Sequence, residues 1–185
     1  MGRTKKILSK RKSIGGIILI FVTVGTHEQG MDRLFIELDR LIESGELKEE
    51  IFAQIGYSKY IPKNYKYKEM IGYDEMDEYV RKSDIIITHG GPGSIFHPLQ
   101  YGKIPIVVPR NPEFNEHVDE HQILFTRRLE ANKRVMAVYD IKELRDTIIS
   151  YDKKTEPLKG NHSSTTSEFI KEFEILCLDL VGKNK

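Results

Sequence analysis

A continuous apolar run at residues 17–25 (IILIFVTVG) constrains the fold more than any other stretch of the sequence. An unbroken run of this kind, rich in β-branched residues, indicates a strand covered on both faces, as in parallel sheets. Shorter runs that also read as strands recur as EIFAQIG, YKEMIG, DIIITHGG, KIPIVVP and RVMAVY. The sequence therefore predicts six strands.

Segments with helical spacing of apolar residues separate these runs. Examples are MDRLFIELDRLIESG, DEMDEYVRKS, stretches that begin near Ser94 and Val118, and DIKELRDTIIS with Asp140 as N-cap. Strands that alternate with helices indicate parallel pairing. We therefore expect an α/β fold with a Rossmann-like, doubly wound parallel sheet over residues 17–150.

The two flanks of this region differ from it in composition. Six of the first twelve residues are Lys or Arg and none is acidic, so residues 1–16 are predicted to be a flexible basic leader. Residues 151–165 (YDKKTEPLKGNHSST) have little to bury and are predicted to be a polar linker. Residues 166–182 have an amphipathic helical pattern, which predicts a C-terminal helix.

Composition excludes several classes of protein. The longest apolar run near the N-terminus is about half of the roughly 20 residues that a membrane span needs, and no cleavage site of small residues follows it. Cys177 is the only cysteine, so no disulfide can form within the chain. This fits a reducing compartment.

Two predicted strands end in loops of small residues, VTVGTHEQG and THGGPGS. Ligands of open parallel sheets bind outside the carboxyl ends of the strands. Glycines let backbone N–H groups approach a ligand, and a helix N-terminus favours negative charge. The pair of loops indicates a diphosphate site without a metal, although each loop alone is also compatible with a tight turn. Neither a P-loop nor a G-x-G-x-x-G fingerprint is present.

The segment HVDEH, residues 117–121, allows two interpretations. It matches the H-x-x-E-H pattern of some zinc proteases, but only His162 follows it as a further histidine ligand. Alternatively, DEHQ places polar side chains at a helix start that faces the glycine loops. His97, three residues into the helix after the second loop, is either a structural histidine or a second group that faces this crevice.

The longer motifs FVTVGTHEQGMDRL, QIGYSKY and SDIIITHGGPGSIFHPLQYGKIPIVVPR…EHVDEHQ carry a resemblance. Together they resemble the C-terminal domain of glycosyltransferase family 28, over residues 20–129. The similarity is greatest to its stand-alone versions, such as the soluble subunit of the two-part dolichol-linked chitobiose synthase and bacterial exopolysaccharide transferase subunits. The resemblance implies one Rossmann-like half of a GT-B glycosyltransferase.

The resemblance also implies a set of donor-binding positions: Gly25, Thr26, Ile71, Gly72, Tyr73, His89, Gly90, Gly91, Gly93, Ser94, His97, His121 and Gln122. The first loop would lie near the diphosphate and sugar, residues 71–73 would pack on uracil, and the second loop would bind the diphosphate. The His121–Gln122 pair would hydrogen-bond the sugar hydroxyls. His27 is the candidate general base, unless the partner supplies it. His97 stands where the family usually has a glutamate that grips the ribose.

The implied chemistry is inverting transfer from a UDP-sugar to a lipid-linked acceptor, without a metal or other cofactor. The implied partner is a membrane-anchored, acceptor-binding subunit, which would hold this chain in the cytoplasm at the inner face of the plasma membrane. The implied role is in exopolysaccharide or capsule synthesis, and nucleic acid is not an expected ligand. The alternative is a non-catalytic nucleotide-sugar-binding or enhancer subunit of another glycosyltransferase.

Overall fold

A computed structural model describes residues 18–158 of the protein. The strands are β1 (Leu19–Thr23), β2 (Glu50–Gln54), β3 (Lys66–Lys68), β4 (Ile85–Thr88), β5 (Ile106–Val107) and β6 (Met136–Ala137). The helices are α1 (Asp32–Glu43), α2 (Tyr73–Lys82), α3 (Pro92–Gln100), α4 (His121–Ala131), α5 (Leu144–Ile149) and α6 (Tyr151–Thr155). The basic leader and the predicted C-terminal helix lie outside the described residues.

The six strands form one sheet in the order β3-β2-β1-β4-β5-β6, and all five pairings are parallel. This is the strand order of a Rossmann-like sheet. The connections reverse direction between β1 and β4, whose last residues, Thr23 and Thr88, are paired in register. The carboxyl ends of these two strands therefore flank the crevice at which such sheets bind ligands.

Alternate residues of the strands enter different cores, which confirms the doubly wound fold. On one face, Ile20 and Val22 of β1 pack with Leu34 of α1 and Leu144 of α5. On the other face, Phe21 packs in a separate cluster that includes Val80 of α2. Helices α3 and α4 pack against β5 through a third cluster of apolar residues, Ile95, Val107, Phe125, Leu129 and Val135. Burial on both faces explains why β1, β4 and β5 have no polar alternation.

Residues in two loops stabilise the C-terminal ends of helices α1 and α2. Gly45 follows α1 with φ of +71°, a backbone conformation that glycine adopts without strain. Lys103, in the turn after α3, donates hydrogen bonds to the carbonyls of Val80 and Ser83, both at 2.7 Å. This ammonium group satisfies carbonyls at the C-terminal end of α2 that have no partner within the helix.

The structure corrects two sequence-based boundaries. Helix α4 begins at His121 and not near Val118, since the preceding residues form bends. The predicted linker does not begin at residue 151, because α6 and a 3-10 turn occupy residues 151–158. Tyr151 is buried and donates a hydrogen bond to the Ile104 carbonyl at 2.8 Å. Its burial ties this polar segment to the domain.

Candidate donor-binding site

The two glycine loops meet at the switch point of the sheet, on either side of the His89 ring. A Cβ on Gly25 would lie 2.6 Å from His89 Cε1, and one on Gly91 would lie 2.3 Å from His89 Nε2. Gly25 also has φ of +71°. Both positions therefore require glycine, for steric reasons that arise from one imidazole ring.

Burial determines the charge of His89. Removal from water, together with the positive Arg110 nearby, lowers the pKa of His89 to about 3. Its ring is therefore neutral at physiological pH. A neutral ring can lie beneath the loops without adding a second cation beside Arg110.

Gln54 positions the first loop from the end of β2. Its amide nitrogen donates to the Gly25 carbonyl at 2.9 Å, and its amide oxygen accepts a hydrogen bond from the Thr23 hydroxyl. Thr26 follows on the exposed side of the loop. The loop thus has a fixed base, held from two neighbouring strands, and an exposed tip.

The second loop contacts the predicted sugar-binding pair through Gln122. A Cβ on Gly90 would lie 2.7 Å from the Cβ of Gln122. The Gln122 amide oxygen accepts the backbone N–H of Arg110 at 3.3 Å. Gly90 and Gln122, distant in sequence, are therefore close to each other in the structure.

Arg110 is a fully buried cation directly beneath the crevice. Its guanidinium donates to carbonyls on both sides, at 2.8 Å to Val24 and 3.0 Å to Glu116, and also to Gln29. The first loop is therefore anchored to β5 by one side chain. Its Nε has no hydrogen-bond partner among the described residues.

The nearest carboxylate does not neutralise Arg110 directly. Glu116 forms a two-point contact with Arg33, at 2.8 and 3.0 Å, and accepts the N–H of Asn111 at 3.0 Å. The Glu116 carboxylate thus pairs with Arg33, and Arg110 contacts only the backbone carbonyl of Glu116. The excess positive charge in a region of low dielectric favours an anion at the crevice.

Helix α3 directs its N-terminus toward the same crevice. Gly91 is its N-cap, and the first intrahelical bond is from the Ile95 N–H to the Gly91 carbonyl at 3.1 Å. The N–H groups of Gly93 and Ser94 have no acceptor within the helix. Since no side chain caps this helix, its positive end is open for an anionic group.

Four polar residues lie beyond the first loop. The rings of His27 and His117 are 5.0 Å apart. Asp119 is 3.1 Å from His117 Nδ1 and 2.8 Å from His121 Nδ1. The contacts from His27 to His117, from His117 to Asp119 and from Asp119 to His121 link the first loop to the start of α4. Gln122 follows His121 directly in sequence.

A second group of residues, on α2 and α3, is the candidate nucleoside end. Ile71 packs against the core, whereas Gly72 and Tyr73 at the start of α2 are exposed. The Tyr73 ring lies parallel to that of His97, with centroids 5.8 Å apart. The exposed ring face of Tyr73 is suited to stack on a planar base.

His97 is engaged by an aspartate of the neighbouring helix. Its Nε2 lies 2.8 Å from Asp77 Oδ1, which also accepts the Tyr101 hydroxyl at 2.6 Å. Arg81 occupies the other oxygen of Asp77 at 2.8 Å. Only Nδ1 of His97 is therefore left to contact a ligand. His97 can form one hydrogen bond to a ribose, whereas the glutamate usual in the family can form two.

The zinc interpretation of HVDEH has no support in the described geometry. Both histidines of the pattern direct Nδ1 to Asp119, and His117 precedes α4, so the two rings do not share a helical face. Within residues 18–158, no group of three or more His, Cys, Asp or Glu side chains is arranged to hold a metal ion.

Sequence reasoning overlooked Arg110 and Asp77. A charged residue directly after the buried run KIPIVVP was a signal for Arg110, because chains rarely carry arginine into a core without a structural or ligand-binding reason. No sequence signal identified Asp77, whose role depends on the packing of α2 against α3.

Comparisons with known proteins identify the family of the chain. The model of the glycosyltransferase family 28 C-terminal domain matches residues 19–174. The chain therefore belongs to the glycosyltransferase family 28 C-terminal domain family, which forms the donor-binding half of GT-B glycosyltransferases. A search of curated proteins found no match.

Solved structures support the fold. The glycotransferase of kitacinnamycin matches with a TM-score of 0.57 and 16% identity, over 99% of this chain and 47% of that one. MurG of Acinetobacter baumannii matches with a TM-score of 0.54 and 17% identity, over 76% and 43% respectively. The chain thus spans less than half the length of either transferase.

A third solved structure shares the fold under a different description. The molybdenum cofactor binding protein of Rippkaea orientalis has a TM-score of 0.50 and 13% identity, over 74% of this chain and 98% of that one. Fold alone therefore leaves the ligand open. The family match and the site geometry must support any functional assignment.

Proposed function

We propose that the protein is the donor-binding catalytic subunit of a two-part, inverting glycosyltransferase. Its donor is a UDP-sugar and its acceptor is a lipid-linked saccharide of exopolysaccharide or capsule synthesis. The observation that carries this proposal is the excess positive charge of Arg110 beneath two glycine loops and the open N-terminus of α3. These groups suit a diphosphate that gains negative charge as the sugar leaves.

The donor is expected to bind along α3. The diphosphate would lie at Gly91, Gly93 and Ser94, the uracil against the exposed Tyr73, and the sugar toward Gln122, with His121 beside its reacting end. Backbone N–H groups and Arg110 would together stabilise the negative charge of the leaving diphosphate, which a divalent cation stabilises in other transferases. We therefore propose that the transfer needs no metal.

The acceptor half is proposed to be a separate, membrane-anchored protein. Apolar side chains that follow the carboxyl ends of three strands are exposed, namely Tyr57, Met70, Tyr73, Phe114 and Val118. A partner that closes over this edge would cover them and exclude water from the crevice. Among residues 18–158, no helix has the length and apolar character needed to cross a bilayer. In this account the partner holds the chain at the cytoplasmic face of the plasma membrane.

The engagement of His97 by Asp77 favours one alternative. A weaker grip on the ribose is compatible with a non-catalytic nucleotide-sugar-binding or enhancer subunit of another glycosyltransferase. Such a subunit would bind UDP but would not be required for bond cleavage at the donor.

A reconstitution experiment distinguishes the two functions. Membranes from source cells that lack the chain's gene would supply partner and acceptor, and purified chain would be added with UDP-glucose, UDP-galactose or UDP-glucuronic acid. We expect UDP release from one donor only when chain and membranes are combined. Release by the membranes alone, unchanged by the chain, would reject the transferase function, and simple acceleration of a basal rate would favour the enhancer.

A further inference from the structure

The hydrogen bond made by His27 determines which of its nitrogens carries a proton. Its Nδ1 accepts the backbone N–H of Gln29 at 3.3 Å. A backbone amide can only donate, so Nδ1 is unprotonated and the ring proton of neutral His27 is on Nε2. Burial, with Arg110 and His117 nearby, lowers the pKa of His27 and so favours this neutral form. His27 therefore presents a hydrogen-bond donor at Nε2.

His121 has the opposite arrangement. Its Nδ1 lies 2.8 Å from Asp119 Oδ2, and a carboxylate can only accept. The proton is therefore on Nδ1, and Nε2 carries a free lone pair. The backbone N–H of His121 donates to the other oxygen of Asp119 at 3.0 Å, which fixes the carboxylate at the start of α4.

The side chain of His121 is exposed enough to contact an acceptor that another chain presents. Its side chain is 65% exposed, whereas that of His117 is 16% exposed. The next residue, Gln122, packs against Gly90 of the second loop. His121 thus lies at the open edge of the candidate site, where an acceptor presented by another chain could reach it.

We propose that His121, oriented by Asp119, accepts the proton of the acceptor hydroxyl, and that His27 donates a hydrogen bond to the bound donor. This inference rests on the proposed function. His27 was the base expected from the sequence, and its contact with Gln29 favours the donor role for it. Asp119 is a positioning residue, in the sense that it holds the His121 tautomer in which Nε2 is basic.

In the proposed transfer, each bond that forms is matched by a bond that breaks. The acceptor oxygen forms a bond to the anomeric carbon while the bond from that carbon to the β-phosphate oxygen breaks, and its electron pair leaves with UDP. The hydroxyl proton moves to His121 Nε2, which gives an imidazolium next to the Asp119 carboxylate. Solvent then removes this proton, since the ring is exposed. The configuration at the anomeric carbon is inverted.

The first test is the tautomeric state, measured by long-range proton–nitrogen NMR on the chain labelled with ¹⁵N-histidine. In neutral rings we expect His121 to be protonated at Nδ1 and His27 at Nε2. Asp119→Asn should shift His121 toward the Nε2-protonated form without changing His27. Nε2 protonation of His121 in the wild-type chain would overturn the proposal, whatever the protein binds.

The second test uses the reconstituted membranes. His121→Gln should lower the rate of UDP release at saturating donor by about 10²–10⁴-fold, while UDP affinity changes by less than about threefold. His27→Gln should mainly weaken UDP affinity. An undiminished rate in His121→Gln would reject the assignment of the base. Absence of UDP release with the wild-type chain would instead reject the proposed transferase function itself.

Discussion

Gly91 and Gly93 lie two residues apart at the start of α3 and have opposite steric surroundings. A Cβ on Gly91 would meet the buried His89 ring at 2.3 Å, whereas a Cβ on Gly93 would meet nothing within 4 Å. The GGPG sequence therefore contains one glycine that the fold requires and one that it does not. The second is free to serve close approach of a ligand to the backbone.

This difference predicts the effects of two alanine substitutions on stability. Gly91→Ala should lower the free energy of unfolding by about 1–3 kcal/mol, because overpacking displaces His89. Gly93→Ala should leave stability unchanged or raise it by up to about 1 kcal/mol, because alanine favours the helix. Urea unfolding of both variants is the measurement. Equal stabilities would contradict the contact between His89 and Gly91.

The buried His89 ring makes stability depend on pH. Burial lowers the pKa of His89 to about 3 in the folded chain, so between pH 6.5 and 3 only the unfolded chain takes up this proton. Stability should fall as the pH is lowered through this range, by up to about 1.4 kcal/mol per pH unit. His89→Gln should reduce this slope in urea unfolding at pH 6.5, 5.5 and 4.5. Parallel slopes in variant and wild type would show that His89 is not the titrating group.

At the scale of elements, the segment after α5 is where the sequence is least informative. Its letters, YDKKTEPL, are mostly polar and resemble a linker, yet Tyr151 and Thr155 are both buried. The Tyr151 hydroxyl reaches the Ile104 carbonyl, 47 residues earlier in the chain. Two buried side chains among residues 151–157 leave too little of a periodic pattern to be recognised in advance.

Truncation distinguishes this segment from the residues beyond it. A chain that ends at Ser150 should lose about 2–4 kcal/mol of stability, since it forfeits the burial of Tyr151 and one hydrogen bond. A chain that ends at residue 158 should unfold at nearly the wild-type urea concentration. We further expect the chain that ends at residue 158 to bind UDP. It should pair more weakly with the membrane partner, because it lacks the amphipathic residues 166–182.

Two results would contradict this account. Equal destabilisation of both truncated chains would mean that residues beyond 158 support the domain itself. Full-strength pairing of the chain that ends at residue 158, measured by co-sedimentation with the membranes, would contradict the expectation that residues 166–182 contribute to pairing.

Strands β1, β2 and β4 could be predicted, because burial on both faces leaves apolar runs such as that of β1. Strand β3 was predicted one residue late and too long, since its residues Lys66–Lys68 are exposed and form no apolar run. The positions of the glycine loops followed from the same runs. The two-residue strands β5 and β6 were located but their short lengths were not predicted, since sheet pairing and not composition sets their ends. Arg110, Asp77 and the tautomers of His27 and His121 depend on contacts between distant segments and required the structure.

At the scale of the whole molecule, residues 18–158 form one Rossmann-like sheet, and the chain spans less than half the length of the transferases it resembles. Its ligand-binding edge combines excess positive charge at Arg110 with exposed apolar side chains around the crevice. Under the proposed function, this sheet binds the donor and another protein supplies the acceptor. Donor binding is therefore the property that the chain should show by itself.

The central claim is that a diphosphate binds at the carboxyl ends of β1 and β4 without a metal, and calorimetric titration of the purified chain with UDP tests it most directly. We predict one UDP per chain, the same affinity with and without EDTA, and much weaker binding of uridine, which lacks the diphosphate. Gly93→Val should abolish binding, because a side chain at this position meets no protein atom and would occupy the approach to the loop. Loss of UDP binding in EDTA, or equal binding of uridine and UDP, would contradict the account.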